Sequence, residues 1–260
     1  MAFSSNRRIL AGFALIIVAC GIFPQVAGAS WVGEDVLQIQ VQSQGLAASE
    51  TWLLPLDLTS NGQCQNYEYD VSQPVNFVSN GVVLGTVNQV TALYRSDPFV
   101  ALGVAVTAGS ADTTLTINSA TVSFDNIVNP QAYAVAGFTI TDNNGDGATL
   151  TGLYPGGKAY QAIYTSSAGP TVWSSLVGGF TASPYRMNTL NDGQPATGTQ
   201  LVSDSLVSIQ SQFDFTLSPY DMATGSSHFE ITPEPATLSL LVLGGLSLLR
   251  RKKWGVERGE

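Results

Sequence analysis

Val207-Ser208-Ile209-Gln210-Ser211-Gln212-Phe213-Asp214-Phe215-Thr216-Leu217 alternates between apolar and polar residues except at Ser211. Val207, Ile209, Phe213, Phe215 and Leu217 fall on one face, and Ser208, Gln210, Gln212, Asp214 and Thr216 on the other. A period of two places successive side chains on opposite sides of an extended chain, so the stretch predicts a strand with one buried and one wet face. The same pattern runs through Leu37, Ile39 and Val41 against Gln38, Gln40 and Gln42, and through Val100, Leu102, Val104 and Val106. Leu115-Thr-Ile117 and Val122-Ser-Phe124 repeat it. Turn residues separate these runs: Ser60-Asn61-Gly62, Ser79-Asn80-Gly81, Asp97-Pro98, Ala108-Gly109-Ser110, Asn144-Gly145, Pro155-Gly156-Gly157 and Asn191-Asp192-Gly193. About ten to twelve short strands with no helical period predict an all-β body over residues 30–231, an antiparallel, jelly-roll-like β-sandwich. Over residues 180–200 the alternation weakens, which predicts a long loop or an irregular edge.

Charge narrows the function classes. Of the 19 acidic residues, all but Glu257 and Glu260 lie in residues 30–234, where the basic residues are Arg95, Lys158 and Arg186, a net charge of −14 for that span. No basic patch can offset backbone phosphates, so nucleic acid is excluded as a partner. Cys20 and Cys64 are the two cysteines. If Cys20 leaves with a signal peptide, Cys64 has no intrachain partner, and a buried thiol is its expected state.

Four sets of residues invite a chemical reading. Asp142, Asn144 and Asp146, ahead of Gly147, match the first half of an EF-hand-type calcium loop, but Leu153 stands where the bidentate glutamate belongs. The segment also lies between Phe138-Thr-Ile-Thr141 and Ala148-Thr-Leu-Thr151, where Asn-Gly and Asp-Gly suit a hairpin turn. The turn is the favoured reading, with calcium as the one cofactor in view if another loop supplies a carboxylate. His228, the single histidine, sits beside Ser226, Ser227 and Glu230; it shares the solvent-facing side of a last strand with Glu230, opposite Phe229 and Ile231. No Gly-x-Ser-x-Gly elbow accompanies it. Acid pairs such as Glu68 with Asp70, or Glu34 with Asp35, suit a glycosidase but arise by chance in so acidic a chain. Tyr160 and Tyr164 share a strand face, as do Tyr67 and Tyr69, and with Trp52 and Trp173 they are the candidates for stacking on sugar rings. The expectation is a protein that is not an enzyme.

The two ends of the chain carry addresses. Residues 1–29 read as a secretory signal peptide: Arg7-Arg8, an apolar stretch over residues 9–23, then Ala27-Gly28-Ala29 for cleavage before Ser30. Ile17-Val18-Ala19-Cys20-Gly21 resembles a loose lipobox, and Arg7-Arg8 has a weak likeness to a twin-arginine signal. At the other end Pro233-Glu234-Pro235 breaks regular structure, residues 236–249 are uncharged and leucine-rich, and Arg250-Arg251-Lys252-Lys253 follow. Fourteen helical residues rise about 21 Å against a hydrocarbon core of ~30 Å, a short transmembrane helix whose basic flank stays in the cytoplasm.

Pro233-Glu234-Pro235, the leucine-rich run and the basic cluster together resemble the PEP-CTERM sorting signal of exported bacterial proteins. The resemblance covers residues 232–253, with residues 254–260 as a cytoplasmic end. It implies an exosortase as partner, a membrane thiol protease acting near Pro233-Glu234-Pro235, besides the secretion machinery. It also implies a cell surface or extracellular matrix containing polysaccharide as destination. Asp97-Pro98-Phe99-Val100, Ser119-Ala-Thr-Val-Ser-Phe124 and Phe215-Thr-Leu-Ser218 are weakly similar to exported β-domains carrying such tails, a likeness that implies no activity. The expectation is therefore an exported, exosortase-sorted surface or matrix protein with a structural or adhesive role. A calcium-assisted carbohydrate-binding module is the alternative, and a glycoside or other hydrolase the third reading.

Overall fold

The computed structural model describes residues 35–44, 48–55, 66–71, 73–95 and 97–233. The signal peptide, Cys20, Cys64 and the sorting tail from Glu234 onward lie outside them, as do the side chains of Tyr67, Glu68, Tyr69 and Asp70. In chain order the strands begin with β1 (Asp35–Ser43), β2 (Ala48–Pro55), β3 (Asn66–Val71), β4 (Val75–Ser79), β5 (Val82–Arg95) and β6 (Phe99–Ala108). Then come β7 (Thr113–Ser119), β8 (Val122–Val128), β9 (Gln131–Thr141), β10 (Ala148–Gly152), β11 (Lys158–Ser166) and β12 (Gly169–Gly178). The last are β13 (Phe180–Ala182), β14 (Met187–Gln194), β15 (Gln200–Leu201), β16 (Ser205–Leu217) and β17 (Met222–Thr232). Seventeen strands exceed the expected number because edges and crossovers add short pieces such as β13 and β15.

The strands form two antiparallel sheets. One runs β12-β11-β16-β7-β1-β2, with β8 and β10 also on β16 and β13 on β10. The other runs β14-β9-β17-β6-β5-β3, with β15 on β9 and β4 on β5. No helix occurs among the described residues, and none there is long and apolar enough to cross a membrane. The sheets face each other across one core that includes Leu37, Ile39, Val41, Val100, Leu115, Ile117, Val122, Phe213, Phe215 and Phe229. The alternation that predicts these strands is thus the alternation of inner and outer faces.

One interval breaks the expected pattern. Val207 is exposed and Leu206 buried, and Ser208 faces inward, because β16 bulges against β11: Ser208 pairs with Thr165 and Leu206 with Ser166, which leaves Val207 as an extra residue. One extra residue in a strand turns every side chain before it to the other face. Asn191-Asp192-Gly193 likewise is not a turn. It lies within the edge strand β14, where the Asp192 carboxylate accepts from Val177 N–H and meets Lys158 Nζ at 3.3 Å. By contrast Asn80-Gly81 forms the expected two-residue hairpin, with both φ angles positive (50° and 77°).

Phe138 sits at the centre of the core, 5.1 Å from the Phe213 ring and 4.9 Å from Phe215. Its ring packs against Gly225 of β17, where a Cβ would come within 2.5 Å of Cε1. Phe138→Ala is expected to lower stability by about 3–5 kcal/mol. Gly225→Ala should be destabilising alone yet much less so beside Phe138→Leu; equal costs in both backgrounds, measured by urea unfolding, would show that the ring does not require that glycine.

Candidate functional site

The hexapeptide Asp142-Asn143-Asn144-Gly145-Asp146-Gly147 is not a hairpin turn. β9 belongs to one sheet and β10 to the other, so these residues carry the chain across the end of the sandwich. Three further crossovers reach the same end: β6 to β7 at Gly109, β13 to β14 through Tyr185, and β16 to β17 through residues 218–221. Local sequence could not show this, because a turn and a crossover call for the same glycines and asparagines.

Two buried carboxylates join these loops. Asp142 accepts from Gly145 N–H at 3.0 Å in its own loop and from Tyr185 N–H in the β13–β14 crossover. Asp221, fully buried, accepts from Asn143 N–H at 3.2 Å and from the Ser218 hydroxyl at 2.5 Å. Its own carbonyl accepts from Ala108 N–H, and Tyr220 N–H donates to Gly109 O, which brings in the β6–β7 crossover. Gly145 and Gly147 have φ of 90° and 98°, and Tyr185 and Tyr220 take left-handed values of 55° and 61°. Left-handed backbone at non-glycine residues is held by its surroundings, here the Asp142 carboxylate that receives Tyr185 N–H and the Gly109 carbonyl that receives Tyr220 N–H.

Asp146 completes a cluster. One oxygen each of Asp142, Asp146 and Asp221 lie within 4.8 Å of one another. Asn144 donates to Asp146 at 3.0 Å and to Pro219 O at 3.3 Å, and Asn143 donates to Tyr220 O. The third carboxylate beside Asp142 and Asp146 is thus Asp221 of the β16–β17 loop, and Leu153 stays at the surface. Carboxylate oxygens with spare lone pairs and nearby carbonyls are the donor set a hard divalent cation takes.

The acids differ in their titration. Burial pushes the Asp142 carboxyl up, but the N–H groups of Tyr185, Gly145, Gly147 and Asn144 outweigh it and hold it below the ordinary value of 3.8. Burial pushes Asp221 up, and the Asp142 charge adds to this against the Ser218 and Asn143 hydrogen bonds. Like charges at close range drive such a pair apart.

The other expected sites are placed elsewhere. Tyr160 and Tyr164 do share a face, but it is the inner one, at 0 % and 6 % exposure. Tyr160 shares a hydrogen bond with Ser211 and Tyr164 donates to Asp204, and burial raises both hydroxyls above the ordinary phenol range. Neither ring is open to a sugar. Trp52 and Trp173 pack against the core, Trp173 stacked 5.8 Å from Phe229. His228 and Glu230 do share the outer face of β17, hydrogen-bonded at 3.1 Å, and His228 meets the rings of Phe99 and Tyr133 edge-on. The hydroxyls of Ser226 and Ser227 do not bond it; Ser227 faces the core.

No family model and no curated protein matches the chain. Among solved structures, it is similar to a structure of infectious bursal disease virus, Gx strain, at 11 % identity over 80 % of this chain, with a TM-score of 0.26. The VP2 subviral particle of that virus gives 11 % identity over 89 % of this chain and 75 % of its own, with a TM-score of 0.12. The chain spans 57 % of the first of these. Both likenesses are too slight to carry an argument.

The pH dependence follows in sign. Asp142, held low, adds stability above its unfolded pKa of about 3.9 that is lost as pH falls through its folded value. Asp221, held high, removes stability as pH rises from about 3.9 through its folded value. In calcium-free buffer the melting temperature should therefore rise on acidification from neutral toward pH ~4 and fall below it. Asp221→Asn should melt higher than wild type at pH 7 and lose the upper limb, and Asp142→Asn should melt lower. Identical profiles for all three chains would refute the pairing.

Proposed function

We propose that this chain is an exported bacterial surface or matrix protein. On this reading its jelly-roll-like body is delivered by the N-terminal signal helix, held by a short C-terminal transmembrane helix and processed by an exosortase, and it serves a structural or adhesive role. The carrying observation is the pairing of ends: Arg7-Arg8 with cleavage before Ser30, and Pro233-Glu234-Pro235 with Arg250-Arg251-Lys252-Lys253. The described fold agrees with such handling. β17 ends at Thr232 and Pro233 is exposed just beyond it, so a protease acting there would not have to unpick a strand. β1 begins and β17 ends at the same end of the sandwich, since Leu37 pairs with Ser119 and Thr232 with Gln131. The four crossovers around Asp142 and Asp221 occupy the opposite end, turned away from a membrane that holds the tail.

The intact mass of the protein recovered from its own cells tests this reading. A chain from Ser30 to near Glu234 is expected. A chain still carrying residues 238–253 would make the tail an ordinary anchor and remove the exosortase from the account.

A second reading, calcium-assisted carbohydrate binding, gains from the Asp142, Asp146 and Asp221 cluster. On it, millimolar calcium should raise the melting temperature of the full-length chain in mild detergent, and magnesium much less, because Mg²⁺ sheds its water reluctantly. Asp221→Asn should abolish the calcium shift while leaving the chain folded. An unchanged melting temperature with calcium would leave the three acids as a purely structural joint.

A further inference from the structure

We propose that the outer face of the β9–β17 pair, beneath the β14–β15 edge, is a binding cleft for a neutral polysaccharide strand. Two adjoining hollows lie along this face. One, of about 310 Å³, is lined by Tyr133, Glu230, Thr232 and residues 197–199; the other, of about 300 Å³, lies over Val135, Gly137, Ser226 and His228 beside Asn191. Glu230 pairs with Tyr133 and His228 with Val135 in one register, so the hollows follow each other along the strands, with the His228 ring edge-on to Tyr133 at their junction, and together they form a trough.

The trough is built by two local departures from regular sheet. On the edge, Gln194 pairs with Ala134 and Gln200 with Ala132. The edge chain therefore advances six residues while β9 advances two, and residues 195–199 loop out beside Tyr133 to form a wall. Such an insertion re-aims side chains next to a site. On the floor, Gly137 bears no side chain, and Asn191 Oδ1 occupies the place of its Cβ, 2.0 Å from where that atom would be. The absent side chain makes room for the Asn191 amide, which lies over the floor at that point.

The chemistry fits a sugar. Tyr133 is half-exposed and offers an aromatic surface for C–H faces. The Glu230 carboxylate and the Thr197, Thr199 and Thr232 hydroxyls can take part in hydrogen bonds with ring hydroxyls. Glu230 in the trough and a net charge of −14 over residues 30–234 oppose an anionic polymer, which leaves neutral pyranoses as the class. This cleft depends on the export reading only for where a polymer would be met.

The test is calorimetric titration of the full-length chain in mild detergent with β-1,4-, β-1,3- and α-1,4-linked glucohexaoses, and with polygalacturonate as the anionic comparator. At least one neutral hexaose should bind. Tyr133→Ala should weaken it about ten-fold or more, and Tyr133→Phe should retain it. Glu230→Gln, which keeps the shape, should weaken it less than Tyr133→Ala. Val172→Ala, an exposed side chain on β12 of the other sheet, should bind as wild type. Melting temperatures within a few degrees of wild type would show that the variants fold. Silence with all three hexaoses, binding of polygalacturonate alone, or full binding by Tyr133→Ala would overturn the cleft. A chain that binds but keeps its tail in its own cells would remove the exosortase and leave the cleft standing, and the reverse result would sink the cleft alone.

Discussion

A sandwich in which the chain passes repeatedly between sheets must satisfy the backbone of every crossover, since an N–H buried without a partner costs about 1–3 kcal/mol. Here four crossovers converge on one end, and the carboxylates of Asp142 and Asp221 take the N–H groups that neither sheet can. Acceptance is all an ionised carboxylate can offer, and each oxygen can take more than one donor. Two aspartates therefore hold loops that a similar number of neutral hydroxyls could not. Their proximity sets a conflict: each is wanted as an acceptor, and neither gains from the other's charge. Asp142 titrates low because its N–H donors outweigh its burial, and Asp221 titrates high chiefly because it is buried, with the Asp142 charge adding to that.

The opposite end is joined differently. Tyr94 crosses the core to receive Ala120 N–H, Asn129 N–H donates to Asp204 O, and Val202 N–H to Pro130 O. No carboxylate pair is needed where loops can meet carbonyl to amide. Ionic contacts add little elsewhere: Lys158 and Asp192 link β11 to β14 across the edge, but both are about a third or more exposed, and such a pair contributes at most about 1 kcal/mol. Packing and crossover geometry carry the fold, and the acidic surface is left free of a structural task.

Much of this architecture was legible in single strands. Alternation located the inner residues of β1, β6, β7 and β17, because a half-buried strand imposes its period wherever it pairs. It failed at Val207, since the bulge there is a property of β16 and β11 together and the sequence shows one strand at a time. It failed again at residues 142–147, where the turn chemistry was right and the partner wrong: β10 pairs with β13 and β16, not with β9. Tyr160 and Tyr164 were correctly set on one face, but period alone does not say which face is inside when Tyr can satisfy its hydroxyl in the core. Asp221 was invisible as a site residue, because Ser218-Pro-Tyr-Asp221 resembles any polar turn until the β9–β10 crossover is laid against it. Tyr133, by contrast, could have been found: it stands among Ala132, Ala134 and Ala136, the one large side chain in a run of small ones on β9.

That contrast separates the two ends of the argument about function. The crossover cluster is explained without a ligand, since each of its buried oxygens already has a donor and its strained residues are held by those bonds. The trough on β9 and β17 is not so explained. The looped-out edge segment 195–199 gives up ladder hydrogen bonds that a flat, paired edge would have kept. Structural need accounts for the first arrangement, and recognition of something laid along the sheet accounts better for the second. The chain leaves β17 at Thr232, on the rim of that trough, so a body held by its C-terminal tail would keep the trough's first hollow beside its point of attachment and the acidic crossovers farthest from it.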